Sequence, residues 1–208
     1  MDREKGLKLL KENLSNQKPK LPCNGSEGED EGKPRRGQTS SPLIKHSLAV
    51  EAIMRALARR FGEDEGKWGL TGLLHDIDYE KTKDDPTQHS LVGARLLEDL
   101  EIDKDVCQAV KVHNEAHGIL PETLMEKTLF VVDPLTGLIV AAALVLPSKK
   151  LADLTPENVL NRFKERAFAR GANREIIKKS EEYLNLSLAE FVKIGLDSMQ
   201  GIAGQLGL

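Results

Sequence analysis

The stretch GLLHDIDYE, residues 72–80, places a histidine and a carboxylate side by side at the end of an apolar run. The segment from Trp68 to Ile77, which overlaps this stretch, is apolar on almost every side, and this predicts a short central helix. Adjacent residues on a regular helix point about 100° apart, so His75 and Asp76 could reach one ion together only at a helix end. The pattern therefore predicts a buried helix whose C-terminal end carries two polar groups to a site.

All the histidines of the chain fall within a short part of it, on or at the ends of predicted inward faces. They are His46, His75, His89, His113 and His117. A single histidine on an apolar face is usually a hydrogen-bonded core residue. Several buried imidazoles and carboxylates together would cost several kcal/mol in desolvation unless something charged compensates them. A divalent cation is the simplest compensation, and the two oxygens of Asp76 could bridge two ions about 3.5–4 Å apart.

Composition favours an all-α protein without a general nucleic-acid-binding surface. Aromatic residues make up only 4% of the 208 residues, while Leu, Ala, Lys and Glu are abundant. The net charge of −3 argues against general binding to nucleic acid, which depends on clustered cationic side chains. Cys23 and Cys107 form no C-x-x-C pair, and we see no secretory leader, so we expect a reduced, cytoplasmic protein.

The chain divides into four predicted parts. Residues 1–14 predict an amphipathic helix, and residues 15–42, rich in Gly, Pro, Ser and charges, predict a flexible, disordered insertion or linker. Residues 43–146 predict a helical metal-binding domain, and residues 147–208 predict further helices packed on it. The apolar stretch 129–146 is too short, once interrupted by polar residues, to span a bilayer, so no membrane contact is expected.

Local signals place the other candidate residues on helices. Pro86 is expected to open a helix whose inner face begins at His89. A further helix is expected to carry His113 and His117, four residues apart, on one face. The pair Asp133-Pro134 is expected to interrupt the helix that follows.

The order of these residues resembles the HD superfamily of metal-dependent phosphohydrolases over residues 43–145. The matching positions are His46, the doublet His75-Asp76, His89, His113 and Asp133 in VVDPLTGL. The segments HSLVGARLL (89–97) and VHNEAH (112–117) resemble the added histidine positions of two-metal branches, such as HD-GYP proteins and HD-type diadenosine-tetraphosphate hydrolases. The resemblance implies an HD-domain helical bundle with additional C-terminal helices.

The resemblance also implies a ligand set. The first ion would be held by His46, His75, Asp76 and Asp133, and a second by Asp76, His89 and His113. His117 is expected to be either a ligand or a residue that supports one. Histidine and carboxylate ligands without thiolate suit one or two divalent transition metal ions, with Mn, Fe, Zn, Ni and Co all open.

The implied activity is hydrolysis of a nucleotide or another small phosphate ester by metal-activated water, with Asp76 and His75 as catalytic residues. Lys149 and Lys150, in PSKK, are the first candidates for binding substrate phosphate, followed by Arg166 and Arg170. The chain departs from the HDIGK of many relatives, because Asp78 replaces the glycine.

Two other functions remain open at this point. Some HD relatives hold two irons and activate oxygen, so a diiron oxygenase is one alternative. A non-catalytic nucleotide-binding regulator with a structural metal is the other. The expected partner is a small phosphorylated substrate, and the sequence leaves a homo-oligomer open.

Overall fold

The computed structural model describes residues 1–14 and 41–208, and within them it contains helices and no strand. The all-α prediction is confirmed. The predicted linker 15–42 lies outside the described residues except for its last two positions. Ser41 caps the first helix of the larger part, and Pro42 is its first residue, so this helix begins one residue earlier than expected.

The described chain contains the following elements, including two short 3₁₀ turns. They are α1 (Arg3–Leu14), α2 (Pro42–Phe61), α3 (Glu65–Leu74), α4 (Tyr79–Thr82), α5 (Leu91–Asp99), α6 (Lys104–Val112), a 3₁₀ turn (Glu115–His117), α7 (Leu124–Leu144), a 3₁₀ turn (Leu151–Asp153), α8 (Pro156–Lys164), α9 (Arg174–Lys178), α10 (Ser180–Leu184), α11 (Leu188–Gln200) and α12 (Ala203–Leu206).

Helices α2 and α3 form the most closely packed pair of the fold. A Cβ atom added at Gly72 would lie 3.0 Å from the backbone of Glu51, so a side chain here would push the two helices apart. The Glu51 side chain is buried and accepts hydrogen bonds from Arg3 and Arg55. The ion pair with Arg3 ties α1 to α2, and the close contact sets the end of α3 beside the start of α2.

Helix α7 runs through the core without interruption, so the predicted break at Asp133-Pro134 is wrong. Proline removes one backbone N–H from a helix interior, at a cost of roughly 3 kcal/mol. Buried neighbours such as Leu135 and Leu138 offset that cost by fixing the helix in the core. Helix α7 is long and apolar enough to cross a membrane, but 61% of its apolar window is buried inside the protein, as in a core helix.

Two other helix predictions are wrong in their bounds. His89 lies in a turn before α5, because Ser90 adopts φ 71°, a left-handed conformation that cannot belong to a helix. His113 is the C-cap of α6, so His117 does not continue its face. The Asn114 side chain accepts a hydrogen bond from the N–H of Ala116 and starts a separate 3₁₀ turn.

The C-terminal helices pack on the same core as the histidine-bearing helices. Helix α11 contacts α2, α7 and α8, and its Phe191 and Met199 are fully buried. It begins with a capping box in which Ser187 and Glu190 each bind the other's backbone N–H, as their spacing predicts. Helices α9 and α10 pack against α7.

Candidate metal centre

Six side chains converge from different elements at the inner end of α3. His46 lies in α2, His75 caps α3, Asp76 follows it, His89 lies in the turn before α5, His113 caps α6, and Asp133 lies in α7. Their ligand atoms form three overlapping groups that could hold a metal ion. Two of these groups fall within the predicted ligand sets, and the third, His75 with His113 and Asp133, joins the two sets.

The first group surrounds one oxygen of Asp76. The Nε2 atom of His46 lies 3.1 Å from His75 Nε2 and 3.0 Å from Asp133 Oδ1. Asp76 Oδ2 lies 3.5 Å from His46 Nε2 and 3.4 Å from His75 Nε2. Metal bonds of ~2.1 Å place neighbouring ligand atoms roughly 3.0–3.4 Å apart, so most of these spacings suit one ion.

The second group surrounds the other oxygen of the same carboxylate. Asp76 Oδ1 lies 3.2 Å from His89 Nε2 and 3.5 Å from His113 Nε2. The two oxygens of Asp76 therefore face two different pairs of imidazoles. This is the arrangement of a carboxylate that bridges two ion positions.

Backbone carbonyls orient the two most deeply buried imidazoles. His75 Nδ1 lies 2.8 Å from the carbonyl oxygen of Gly72, and His113 Nδ1 lies 2.6 Å from that of Val110. A carbonyl only accepts, so each Nδ1 carries the proton and donates it. Both Nε2 atoms are consequently unprotonated in the neutral rings and present a lone pair to the site.

Side chains orient the imidazoles of His46 and His89 in the same way, with Nδ1 bonded outward and Nε2 toward the site. His46 Nδ1 donates to the Thr136 hydroxyl at 3.0 Å, because that hydroxyl already donates to the carbonyl oxygen of Asp133. His89 Nδ1 donates to Asp78 Oδ1 at 3.0 Å. All four histidines thus have Nε2 free for a metal ion, as ligating histidines with an outer hydrogen-bond partner do.

An unpartnered nitrogen in the cluster is a further observation that fits a bound cation. Among the described residues, His113 Nε2 is buried and has no hydrogen-bond partner. Leaving a buried polar atom unsatisfied costs roughly 1–3 kcal/mol. A metal ion at the second group would satisfy this nitrogen directly.

The carboxylates of the cluster also require nearby positive charge. Burial by itself would raise the pKa of Asp76, but His75 and its neighbours hold that pKa well below its usual value, and Asp133 behaves alike. Burial would lower the pKa of His75, but Asp76 and Asp133 raise it to about 9. Burial would likewise lower the pKa of His89, but its hydrogen bonds to Asp76 and Asp78 raise that pKa to about 10. Without a metal ion, protons on these imidazoles supply the charge that the carboxylates require.

The remaining candidate residues lie outside this cluster. His117 Nε2 lies 2.7 Å from the carbonyl oxygen of His89, so it supports the turn that carries His89. Lys149 and Lys150 are exposed beyond the end of α7, which lies about 17 Å along the helix from Asp133. The structure therefore does not bring these two lysines to the metal centre.

Arg166 and Arg170 are connected to the site through two adjoining cavities. They line a cavity of about 400 Å³, which shares Glu115, Gly171 and Asn173 with a second cavity. The second cavity, about 240 Å³, borders on the metal centre. Its wall includes His89, His113 and Asp133. The arginines are therefore the better placed of the predicted phosphate contacts.

Asp78 is the residue whose role sequence reasoning missed. It is fully buried and holds His89 in place. The available signal was a second acid two residues after Asp76 in an apolar stretch. The sequence did not reveal its partner, because the turn that brings His89 back to Asp78 is a tertiary feature.

Fold and site together define the class of protein. It is an all-α protein whose core presents four histidines and two carboxylates for one or two divalent ions. Residues 43–138 match the family model described as HD domain, so this part of the chain belongs to that family.

The chain is also similar to several proteins named Ribonuclease Y. It is 30% identical to that of Lawsonia intracellularis over 139 residues, which cover 64% of this chain and 26% of the relative. It is 30% identical to that of Oleidesulfovibrio alaskensis over 146 residues, covering 68% of this chain and 27% of the relative. The chain thus spans about a quarter of the length of these relatives. No solved structure matches it significantly.

Proposed function

We propose that this protein is a metal-dependent hydrolase of phosphate esters, acting on a nucleotide or another small phosphorylated molecule. The observation that carries the proposal is the position of Asp76, whose two oxygens face separate pairs of histidines. Membership of the HD-domain family and the similarity to ribonucleases support hydrolysis as the kind of reaction.

The exposure of each side chain indicates its role in the proposed reaction. The side chain of His75 is fully buried, so its role is to hold an ion and not to contact substrate. The side chains of His46 and Asp133 are 25% and 32% exposed and form the open edge of the site. When bound, a divalent ion supplies positive charge to a phosphoryl oxygen and lowers the pKa of water. Asp76, held by its histidine neighbours, orients the reacting groups at this edge.

The larger cavity, which adjoins the one bordering the metal centre, suggests how the rest of the substrate is held. Its two acidic side chains are already engaged, since Glu115 accepts two hydrogen bonds from Asn173 and Glu175 pairs with Lys178. Arg166 and Arg170 line the same cavity and contribute positive charge there. We propose that they bind phosphate oxygens that do not reach the metal centre.

A second candidate substrate is RNA. The similarity to proteins named Ribonuclease Y favours a phosphodiester bond of RNA as the target. The two arginines would then bind the phosphate next to the cleaved one.

The test is turnover by the purified full chain loaded with Mn²⁺, Fe²⁺, Co²⁺, Ni²⁺ or Zn²⁺. The panel contains phosphomonoesters, dinucleotides, cyclic nucleotides and short RNA oligonucleotides, and Asp76→Asn is the inactive control. We expect release of phosphate or of a nucleotide by the native protein alone. Absence of turnover across the panel, in protein that retains its metal, would overturn the proposal. A mixed-valent diiron signal with oxygen consumption would instead favour the oxygenase chemistry.

A further inference from the structure

The carboxylate of Asp78 is fully buried and fully engaged. Its Oδ1 accepts a hydrogen bond from His89 Nδ1 at 3.0 Å. Its Oδ2 accepts from the backbone N–H groups of Ser90 at 2.9 Å and Gly93 at 2.8 Å. One side chain therefore binds both the imidazole and the backbone at the start of α5.

The backbone around Asp78 is adapted to this contact. Ser90 occupies the N-cap position of α5 but makes no side-chain cap, so Asp78 from another element takes over the capping role. Ser90 itself is held at φ 71°, with its hydroxyl bonded to the carbonyl oxygen of Lys111. A Cβ atom added at Gly93 would lie 3.1–3.3 Å from the Asp78 carboxyl group, so this position has little room for a side chain.

His89 differs from the other buried imidazoles in what orients it. His75 and His113 donate to carbonyl oxygens three residues earlier, at the ends of their own helices. His89 lies in a turn before a helix, and its partner is a carboxylate instead. A carboxylate fixes the ring and its tautomer as a carbonyl does, and it also increases the basicity of Nε2.

We propose that Asp78 is a positioning residue that makes His89 a ligand of the second metal ion. This inference rests on the metal centre of the proposed function. Asp78 contacts neither His46 nor His75, so the affinity for the second ion depends on Asp78 and the affinity for the first does not. Occupancy of the second position is thereby determined by a residue outside the HD doublet.

The test is a titration of the metal-free full chain with Mn²⁺ and with Zn²⁺, followed by calorimetry and elemental analysis. Asparagine has one acceptor oxygen, so Asp78→Asn cannot serve both His89 and the two backbone N–H groups. We expect the second ion to bind about 10–100-fold more weakly and the first to change less than about threefold. The exposed Asp99→Asn removes one carboxylate charge elsewhere and is expected to change neither affinity.

Two further variants separate positioning from a purely structural role. Gly93→Ala keeps the carboxylate but crowds it, and we expect the same selective loss of the second ion. In a His89→Ala background, Asp78→Asn is expected to weaken the second ion no further. Equal weakening of both ions, an additive loss in the double variant, or a lower melting temperature with unchanged affinities would overturn the inference.

Spectroscopy and stoichiometry provide readouts independent of turnover. In the Zn²⁺-loaded protein, ¹⁵N spectra of the imidazoles should show His89 protonated at Nδ1 and ligated at Nε2, and Asp78→Asn should lose this signature. A wild-type protein that binds only one ion would overturn the inference even if it hydrolyses phosphate esters. A protein that binds two ions with the expected dependence, but hydrolyses nothing, would sustain it and refute the proposed function.

Discussion

Asp76 and Asp78, two residues apart, have different roles in the candidate metal centre. Asp76 places one oxygen beside His46 and His75 and the other beside His89 and His113. Asp78, two residues later, accepts a hydrogen bond from Nδ1 of His89, whose other ring nitrogen faces Asp76. Asp76 is therefore a candidate metal ligand, whereas Asp78 orients another candidate ligand, His89.

The protonation of the cluster leads to a pH prediction for the metal-free protein. His75 and His89 have folded-state pKa values of about 9 and about 10, above the ordinary value near 6.5. A raised pKa stabilises the fold fully below pH 6.5, and that contribution is lost as the pH rises through the folded values. We therefore expect the melting temperature of the metal-free protein to fall between about pH 6.5 and pH 10.

Thermal unfolding in the presence of a chelator measures this effect. The matched control is the double variant His75→Gln/His89→Gln, which lacks both titrating groups and should show a clearly smaller decline. An equal decline in the two proteins would show that other groups cause it.

At the scale of the elements, the segment 165–173 should carry substrate contacts that the end of α7 does not. We expect Arg166→Ala/Arg170→Ala to raise the KM for a phosphorylated substrate about tenfold or more, with kcat changed less than about threefold, because uniform binding is lost. The control, Lys149→Ala/Lys150→Ala, removes the same charge far from the metal centre. Steady-state kinetics compare the two, and similar effects on KM would refute the assignment.

The attachment of α1 to α2 depends on a buried carboxylate. The Glu51 side chain is 3% exposed and pairs with Arg3 and Arg55. We expect Glu51→Gln to lower the free energy of unfolding by about 1–3 kcal/mol. This loss is smaller than that for a fully buried ion pair, because Arg3 is half-exposed to solvent. Urea unfolding measures it. Glu12→Gln, an exposed change on α1, should stay within about 0.5 kcal/mol, and a comparable loss there would contradict the explanation.

At the scale of the whole molecule, metal ions would join helices that are distant in the sequence. Ligands come from α2, from the ends of α3 and α6, and from α7, so bound ions stabilise the folded state alone. At an ion concentration about 100 times Kd, one site adds ~2.7 kcal/mol, which corresponds to a rise of roughly 5–10 °C in Tm for a chain of this size. Scanning calorimetry before and after chelation should show this shift, and Asp76→Asn should show little of it. A native protein that melts alike in both conditions would contradict the two-ion centre.

Much of the fold was predictable because local chemistry agrees with tertiary packing. Ser187 and Glu190 predict the start of α11, and the apolar run ending at His75 predicts a helix with the doublet at its end. The helix through Pro134 was not predictable, because the local cost of proline is offset by burial that only the assembled core provides. Spacing alone predicted His117 on the face of His113, whereas α6 ends at Val112 and Asn114 starts a separate 3₁₀ turn.

The sequence by itself determined the all-α class, because composition and periodicity are local properties, and its resemblance to the HD superfamily predicted the candidate ligands and their order along the chain. Only the tertiary structure decided which oxygen of Asp76 faces which histidines, and that Asp78 orients His89. It also decided that arginines after α8 line a cavity adjoining the one that borders the centre. The physical reason is that these relations depend on how helices cross and where turns return, and side chains far apart in sequence acquire a distance only in the packed core.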